Sequence, residues 1–197
     1  MPLPQENRKY TYADYLSWPE NERIEIIDGI PYHTYGGQIT EGAPVMQAAP
    51  ARVHQEISGE VFRQLANFLK DKSCKVYAAP FAVRLNADDS DDTVLEPDIT
   101  VVCDKSKLDE KGCKGAPDVV VEILSPSTGR KDRMIKFQKY QQAGVREYWI
   151  VDPDTKTVQV CILEGGRYFT SVHADTDTAP VTVLPGCTIN LYEVFAE

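Results

Sequence analysis

The chain has 197 residues, 42% of them hydrophobic, which is enough for one domain with a full core. A formal net charge of −9 argues against a free-standing non-specific nucleic-acid binder, though not against an enzyme with a local basic surface. No run approaches the roughly 18 apolar residues of a membrane span, no secretory pattern opens the chain, and five cysteines without a CxxC pair read as reduced thiols of a cytoplasmic protein.

In chain order, residues 1–10 read as a tail. Thr11 can cap a short helix to about Ser17, ended by Pro19. Asp28-Gly29 lies between two apolar-rich runs from Arg23 to Tyr35, which predicts a hairpin. Residues 36–50, rich in Gly, Ala and Pro, read as a loop. Val53, Ile57, Val61, Leu65 and Leu69 recur every fourth residue and predict a helix over 51–70. Lys75 to Leu85 reads as a long strand or bent pair broken at Pro80. Residues 86–95 carry Asp88, Asp89, Asp91 and Asp92; the spacing is wrong for an EF-hand, so a solvated loop is expected.

Glu96 to Cys103 reads as a strand opened by Pro97, followed by a Lys/Gly-rich connection over 104–117. Asp118-Val-Val-Val-Glu-Ile-Leu124 is another, apolar on both faces and so covered on both sides. A helix from about Arg130 to Ala143, closed by Gly144, leads to a strand at Val145–Val151. That implies a parallel crossover between the two flanking strands. Strands are expected at 157–163, 167–172, 181–184 and 189–195. The order helix, strand, strand, strand, helix, strand fills 51–151, with the hairpin region 11–50 before it and strands over 152–197 after it, in a single domain of 1–197.

Two acids stand out. Glu122 interrupts an apolar strand, where an uncompensated carboxylate costs several kcal/mol; the nearest basic residues, Lys114 and Arg130, lie beyond the strand's ends. Asp98 opens the preceding strand, where the plainer reading is a turn-forming Asp after Pro. Carboxylates on adjacent strands raise each other's pKa unless a divalent cation lies between them. An oxygen-rich pair of this kind suits Mg²⁺ or Mn²⁺, whereas three scattered histidines argue against a zinc cluster.

The segment Arg130, Lys131, Arg133, Lys136, Lys139 is the one concentrated cationic stretch. At about 100° per residue, Gln138, Gln141 and Gln142 share one side of the helix. Lys136 lies opposite, beside Tyr140 and Ala143, with Lys139 on the flank. An inward lysine needs an anion: either a structural pair with Glu122 or Asp132, or a site with Asp98 and Glu122. His54, opening the first long helix, reads as a surface or first-turn histidine or as a site-lining one. Glu25 reads as solvent-facing on a half-buried hairpin, its alternative being to point at the cleft.

Pro97-Asp98 and Val-Val-Val-Glu122-Ile-Leu-Ser-Pro resemble the PD-(D/E)xK nuclease superfamily. More narrowly, the chain resembles the Uma-two family of restriction-endonuclease-like proteins, on Thr11–Pro19, Ile24–Gly29, His54, Pro97–Val102, Val121–Ser127, Lys136–Tyr140 and Gly144–Pro153. The resemblance implies an α/β (α+β) restriction-endonuclease-like core with a mixed central sheet flanked by helices. It also implies a Mg²⁺- or Mn²⁺-dependent endonuclease of DNA, leaving a 5′-phosphate and a 3′-hydroxyl. Asp98, Glu122 and the Ile123 carbonyl would be the metal ligands and Lys136 the catalytic lysine, in a homodimer without membrane contact. The superfamily's lysine two residues after the glutamate falls at position 124, which is leucine; Lys136 would replace it. The alternatives are a nuclease fold kept as a non-catalytic binding or assembly module, and a phosphoesterase acting on nucleotides or RNA.

Overall fold

The computed structural model describes residues 8–19, 23–33, 51–87, 90–125 and 130–196, with backbone only for 130–132. The predicted loop at 36–50 and the turn at 126–129 lie outside the described residues.

A short helix α1 (Tyr12–Tyr15) precedes the hairpin β1 (Ile24–Ile27) and β2 (Ile30–His33). Asp28 and Gly29 both take positive φ, 52° and 77°, the backbone that a two-residue hairpin turn of right-handed strands demands. Next come α2 (Arg52–Leu69), β3 (Lys75–Ala78), β4 (Ala82–Arg84), β5 (Val94–Leu95) and β6 (Ile99–Val102). The connection expected over 104–117 contains a 3₁₀ turn at Lys105–Lys107 and a strand β7 (Gly112–Lys114). Then follow β8 (Val119–Ile123), α3 (Arg130–Ala143), β9 (Glu147–Asp152), β10 (Thr157–Glu164), β11 (Arg167–Ala174), β12 (Thr178–Pro180), β13 (Thr188–Asn190) and α4 (Leu191–Val194).

The central sheet has six strands in the order β11-β10-β9-β8-β6-β3. Only β8 and β9 run parallel in it, joined through α3 and paired from Val119↔Glu147 to Ile123↔Val151. A second sheet, β2-β1-β5-β4-β7, includes a parallel pair of its own, β4 and β7. The break at Pro80 thus sends the two halves of one predicted strand into different sheets.

Strand β8 is the shared wall of two cores. Val119, Val121 and Ile123 pack with Ile57, Val61, Leu65 and Leu69 of α2. Val120 and Leu124 pack with Tyr140 of α3, with Tyr148, and with Ile27 of the hairpin. The period-two alternation of a strand therefore turns Glu122 toward α3. On α2 the buried stripe begins at His54 rather than Val53, which is 43% exposed. A helix face tolerates steps of three or four equally, and the step of three to Ile57 prevails.

Four expectations about the fold are overturned. The segment 86–95, expected to be a solvated loop, ends in the buried strand β5, because Val94 and Leu95 pair between β1 and β4 in the second sheet. Cys74 and Cys103 are joined by a disulfide, while Cys113, Cys161 and Cys187 are free and buried. The cause is register: β3 pairs with β6 at Lys75↔Val102, so one further step sets the two cysteines opposite each other. Residues 181–184 are not a strand but a tight turn, closed by Leu184 N–H to the Val181 carbonyl and Cys187 N–H to the Leu184 carbonyl, with Gly186 at φ 83°. The strand expected over 189–195 stops at Asn190, whose side chain accepts the Tyr192 amide and caps α4.

Candidate active site

Helix α3 delivers Lys136 into the space beneath β8. The residue is 8% exposed, and its Nζ lies 3.0 Å from Glu122 Oε1. Tyr140, one turn further on, donates its hydroxyl to the same Oε1 at 2.6 Å. Residues four apart share a helix face, so the helix grips one carboxylate oxygen with an ammonium and a phenol. From sequence alone Tyr140 is only a neighbour of the inward lysine. Its spacing of four from Lys136 was the available signal.

Glu25 corrects its expected solvent-facing placement. It is 2% exposed, and both of its oxygens lie 3.0 Å from Lys136 Nζ. It also accepts the Glu96 amide at 2.8 Å. All four residues of β1 are buried, because the strand lies between β2 and β5 and against core on both faces. Glu25 shares its face with Ile27, which packs into the Tyr140–Tyr148 cluster. Lys139 stays near the surface and pairs with Asp28 at 2.6 Å.

Asp98 precedes β6. The pairing Ile99↔Val121, continued by one step, sets it opposite Glu122. It is buried, and its Oδ2 accepts the Ile123 amide at 2.8 Å and lies 3.3 Å from His54 Nε2. His54 is buried too, against Asp98 and the Ile123 carbonyl. The structure thus places Glu25, Lys136 and Glu122 in one direct cluster, and Asp98 with His54 in a second on the adjoining strand. A cavity of about 310 Å³ opens beside Asp98, His54 and Arg23.

The electrostatics follow from two carboxylates around one ammonium. Burial alone would lower the Lys136 pKa, but Glu122 and Glu25 outweigh it and hold the amine firmly protonated. Burial pushes the Glu122 carboxyl up to about 7, with Lys136 opposing and the charges of Glu25 and Asp98 reinforcing the rise. Burial likewise raises Glu25 against the pull of Lys136. At His54, burial works downward, and the hydrogen bond and charge of Asp98 prevail to leave the imidazole above its ordinary value. The cluster sets three carboxyl groups, Glu25, Glu122 and Asp98, around the Lys136 ammonium and the His54 imidazole; a bound cation would favour the ionised form of the acids.

The donor set fits a hard divalent cation. The described bonds of Glu122 fall on Oε1 and those of Asp98 on Oδ2, so Glu122 Oε2 and Asp98 Oδ1 carry none of them. Mg²⁺ keeps several waters and needs only one or two carboxylates. Among the described residues, no group of three or more His, Cys, Asp or Glu side chains forms a metal centre. Nor is any described helix long and apolar enough to cross a membrane.

Comparison with known proteins gives the fold and the family of the chain. A crystal structure described as a "putative nuclease belonging to DUF820" from Anabaena variabilis superposes with a TM-score of 0.71 over 94% of this chain and 97% of that one. At 21% identity the likeness establishes the fold, a mixed α+β architecture of the restriction-endonuclease-like type. An uncharacterized protein of Synechocystis, slr1290, is 28% identical over 134 residues, 67% of this chain. The chain spans 62% of that relative's length. The family described as "Uma2: Putative restriction endonuclease" matches residues 12–192, from α1 into α4. The chain belongs to the Uma2 family.

Proposed function

We propose that this protein is a Mg²⁺- or Mn²⁺-dependent nuclease that hydrolyses phosphodiester bonds in DNA. The observation that carries the reading is the buried ammonium of Lys136, held 3.0 Å from Glu122 on the strand that pairs with the Asp98 strand. The family and the fold of the chain support it.

Asp98 and Glu122 would hold the cation, with the Ile123 carbonyl as a third donor. When bound, the cation supplies Lewis acidity to the scissile phosphate and to the attacking water. Lys136 donates hydrogen bonds to a phosphoryl oxygen and offsets the charge that grows there as the water oxygen adds and the bond to the 3′-oxygen breaks. Glu25 and Tyr140 keep Lys136 and Glu122 in place, and His54 fixes the Asp98 carboxylate. Two copies of the chain supply two such sites for two strands, in the cytoplasm.

A second reading, a nuclease fold retained as a binding or assembly module, draws on two observations: the net charge of −9 and Leu124, which stands where the superfamily carries its lysine. Incubation of supercoiled plasmid, and of a single-stranded oligodeoxynucleotide, with Mg²⁺ or Mn²⁺, wild type against Glu122→Gln, tests the first reading. Cleavage of either substrate by the wild type alone is the expected result. Equal cleavage by both proteins, or by neither, overturns it.

A further inference from the structure

Beside the candidate active site lies a second cavity, of about 300 Å³, whose walls include Tyr15, Trp18, Pro19 and Pro80. Glu96 lies among its lining residues, and Lys111, exposed, also borders it. The buried Glu96 carboxylate accepts the Tyr15 hydroxyl at 2.6 Å on Oε1 and Arg23 Nε at 2.7 Å on Oε2. Each oxygen of an ionised carboxylate has about two lone-pair sites, so the edge of a ligand that carries N–H donors has an acceptor here. Trp18 meets Tyr10 and Tyr15 edge to face, at 65° and 64°, and stacks on neither.

The charge around the cavity separates one ligand class from another. Aromatic walls with a lone carboxylate suit a cation. Here Arg23 already neutralises Glu96, and Lys111 adds a second positive charge. Lys111 thus stands as a cation at the border, while around Tyr12, another lining residue, Arg84 is met by Asp91 and Asp109. A flat, uncharged ring on an anionic backbone satisfies all three features: aromatic walls, a recessed acceptor and a bordering cation.

The cavity is also close to the chemistry. The main-chain amide of Glu96 donates to Glu25, the residue that holds Lys136. Glu96 and Asp98 are two residues apart, about 7 Å in extended chain, within reach of a single nucleotide.

We infer that this cavity binds an unstacked nucleobase adjacent to the phosphate that the site cleaves, so that the substrate is a strand with an unpaired base at that point. The inference rests on the nuclease reading for its place in the reaction, but it is tested by binding alone. Stacking on an aromatic side chain is sequence-tolerant, and alanine replacement of such a residue weakens binding about fivefold or more.

The experiment is a titration of the whole protein in EDTA with a labelled single-stranded oligodeoxynucleotide and with its blunt duplex, read by tryptophan emission and, for every variant, by the fluorescence anisotropy of the label. The chain has two tryptophans, and Trp149 is buried in the core. The single strand should quench the wild type saturably, and Trp18→Phe should abolish the quench. Trp18→Ala, with its fold checked by circular dichroism, should bind the single strand at least about fivefold more weakly and the duplex unchanged. A quench that survives in Trp18→Phe, equal affinity in Trp18→Ala, or no binding by the wild type overturns the inference. EDTA removes cleavage from the readout. Trp18-dependent binding without Mn²⁺-dependent cleavage of either the plasmid or the single strand therefore sinks the nuclease reading and leaves the base site standing; cleavage with Trp18-independent binding does the reverse.

Discussion

Lys136 and Glu25 meet at 3.0 Å although 111 positions separate them in the chain. Lys139 and Asp28, separated by the same number, meet at 2.6 Å. Two residues three apart on α3 thus latch two residues three apart on the first hairpin, one pair buried and one near the surface. Breaking a buried pair leaves an uncompensated charge and costs about 3–5 kcal/mol, whereas an exposed pair contributes about 0–1 kcal/mol. Glu25→Ala should therefore lower the urea-unfolding free energy far more than Asp28→Asn, which removes the exposed charge while tolerating the positive φ of that turn position. Equal losses would mean that the buried latch does not hold the hairpin to the helix.

Tyr140→Phe keeps the ring that packs against Tyr148 and removes the hydroxyl on Glu122. A hydrogen bond to a charged group contributes about 1.5–3 kcal/mol. Urea unfolding should show a loss of that order, and plasmid nicking should fall because Glu122 is less firmly placed. A variant of wild-type stability would show that the phenol is dispensable to the carboxylate.

The free cysteines set an alkaline limit. Burial pushes Cys113 and Cys187 from 9.0 up to about 11. In the unfolded chain these thiols ionise near their ordinary value, while in the fold they stay protonated longer. Their contribution is complete below pH 9 and is lost as the pH rises through 11, so stability falls across that window. Urea midpoints measured from pH 8 to 11 should decline, and decline less steeply in the double variant Cys113→Ala, Cys187→Ala. Identical slopes would remove the thiols from the account.

Much of this architecture could be read in the residues. The period-four stripe of α2, the Asp28-Gly29 turn and the apolar β8 run are local signals, and local geometry obeys them. Lys136 was legible because helical spacing sets it opposite three glutamines. Glu25 was not, since its burial depends on a second sheet packing behind β1, and nothing in Ile-Glu-Ile-Ile distinguishes a half-covered strand from a fully covered one. Glu147 is a similar case. It is wholly buried, accepting the Trp149 indole N–H at 2.7 Å and the Val183 amide at 2.8 Å, and the second partner comes from the turn misread as a strand. The Cys74–Cys103 pair required the β3–β6 register, which cysteine counting does not contain.

The central claim is that Asp98 and Glu122 together hold a hard divalent cation. Calorimetric titration of the purified chain with Mn²⁺ tests it most directly, wild type beside Asp98→Asn and Glu122→Gln. Saturable binding by the wild type, lost in both variants while their circular dichroism is unchanged, is the predicted result. No binding by the wild type, or binding indifferent to both substitutions, would contradict it.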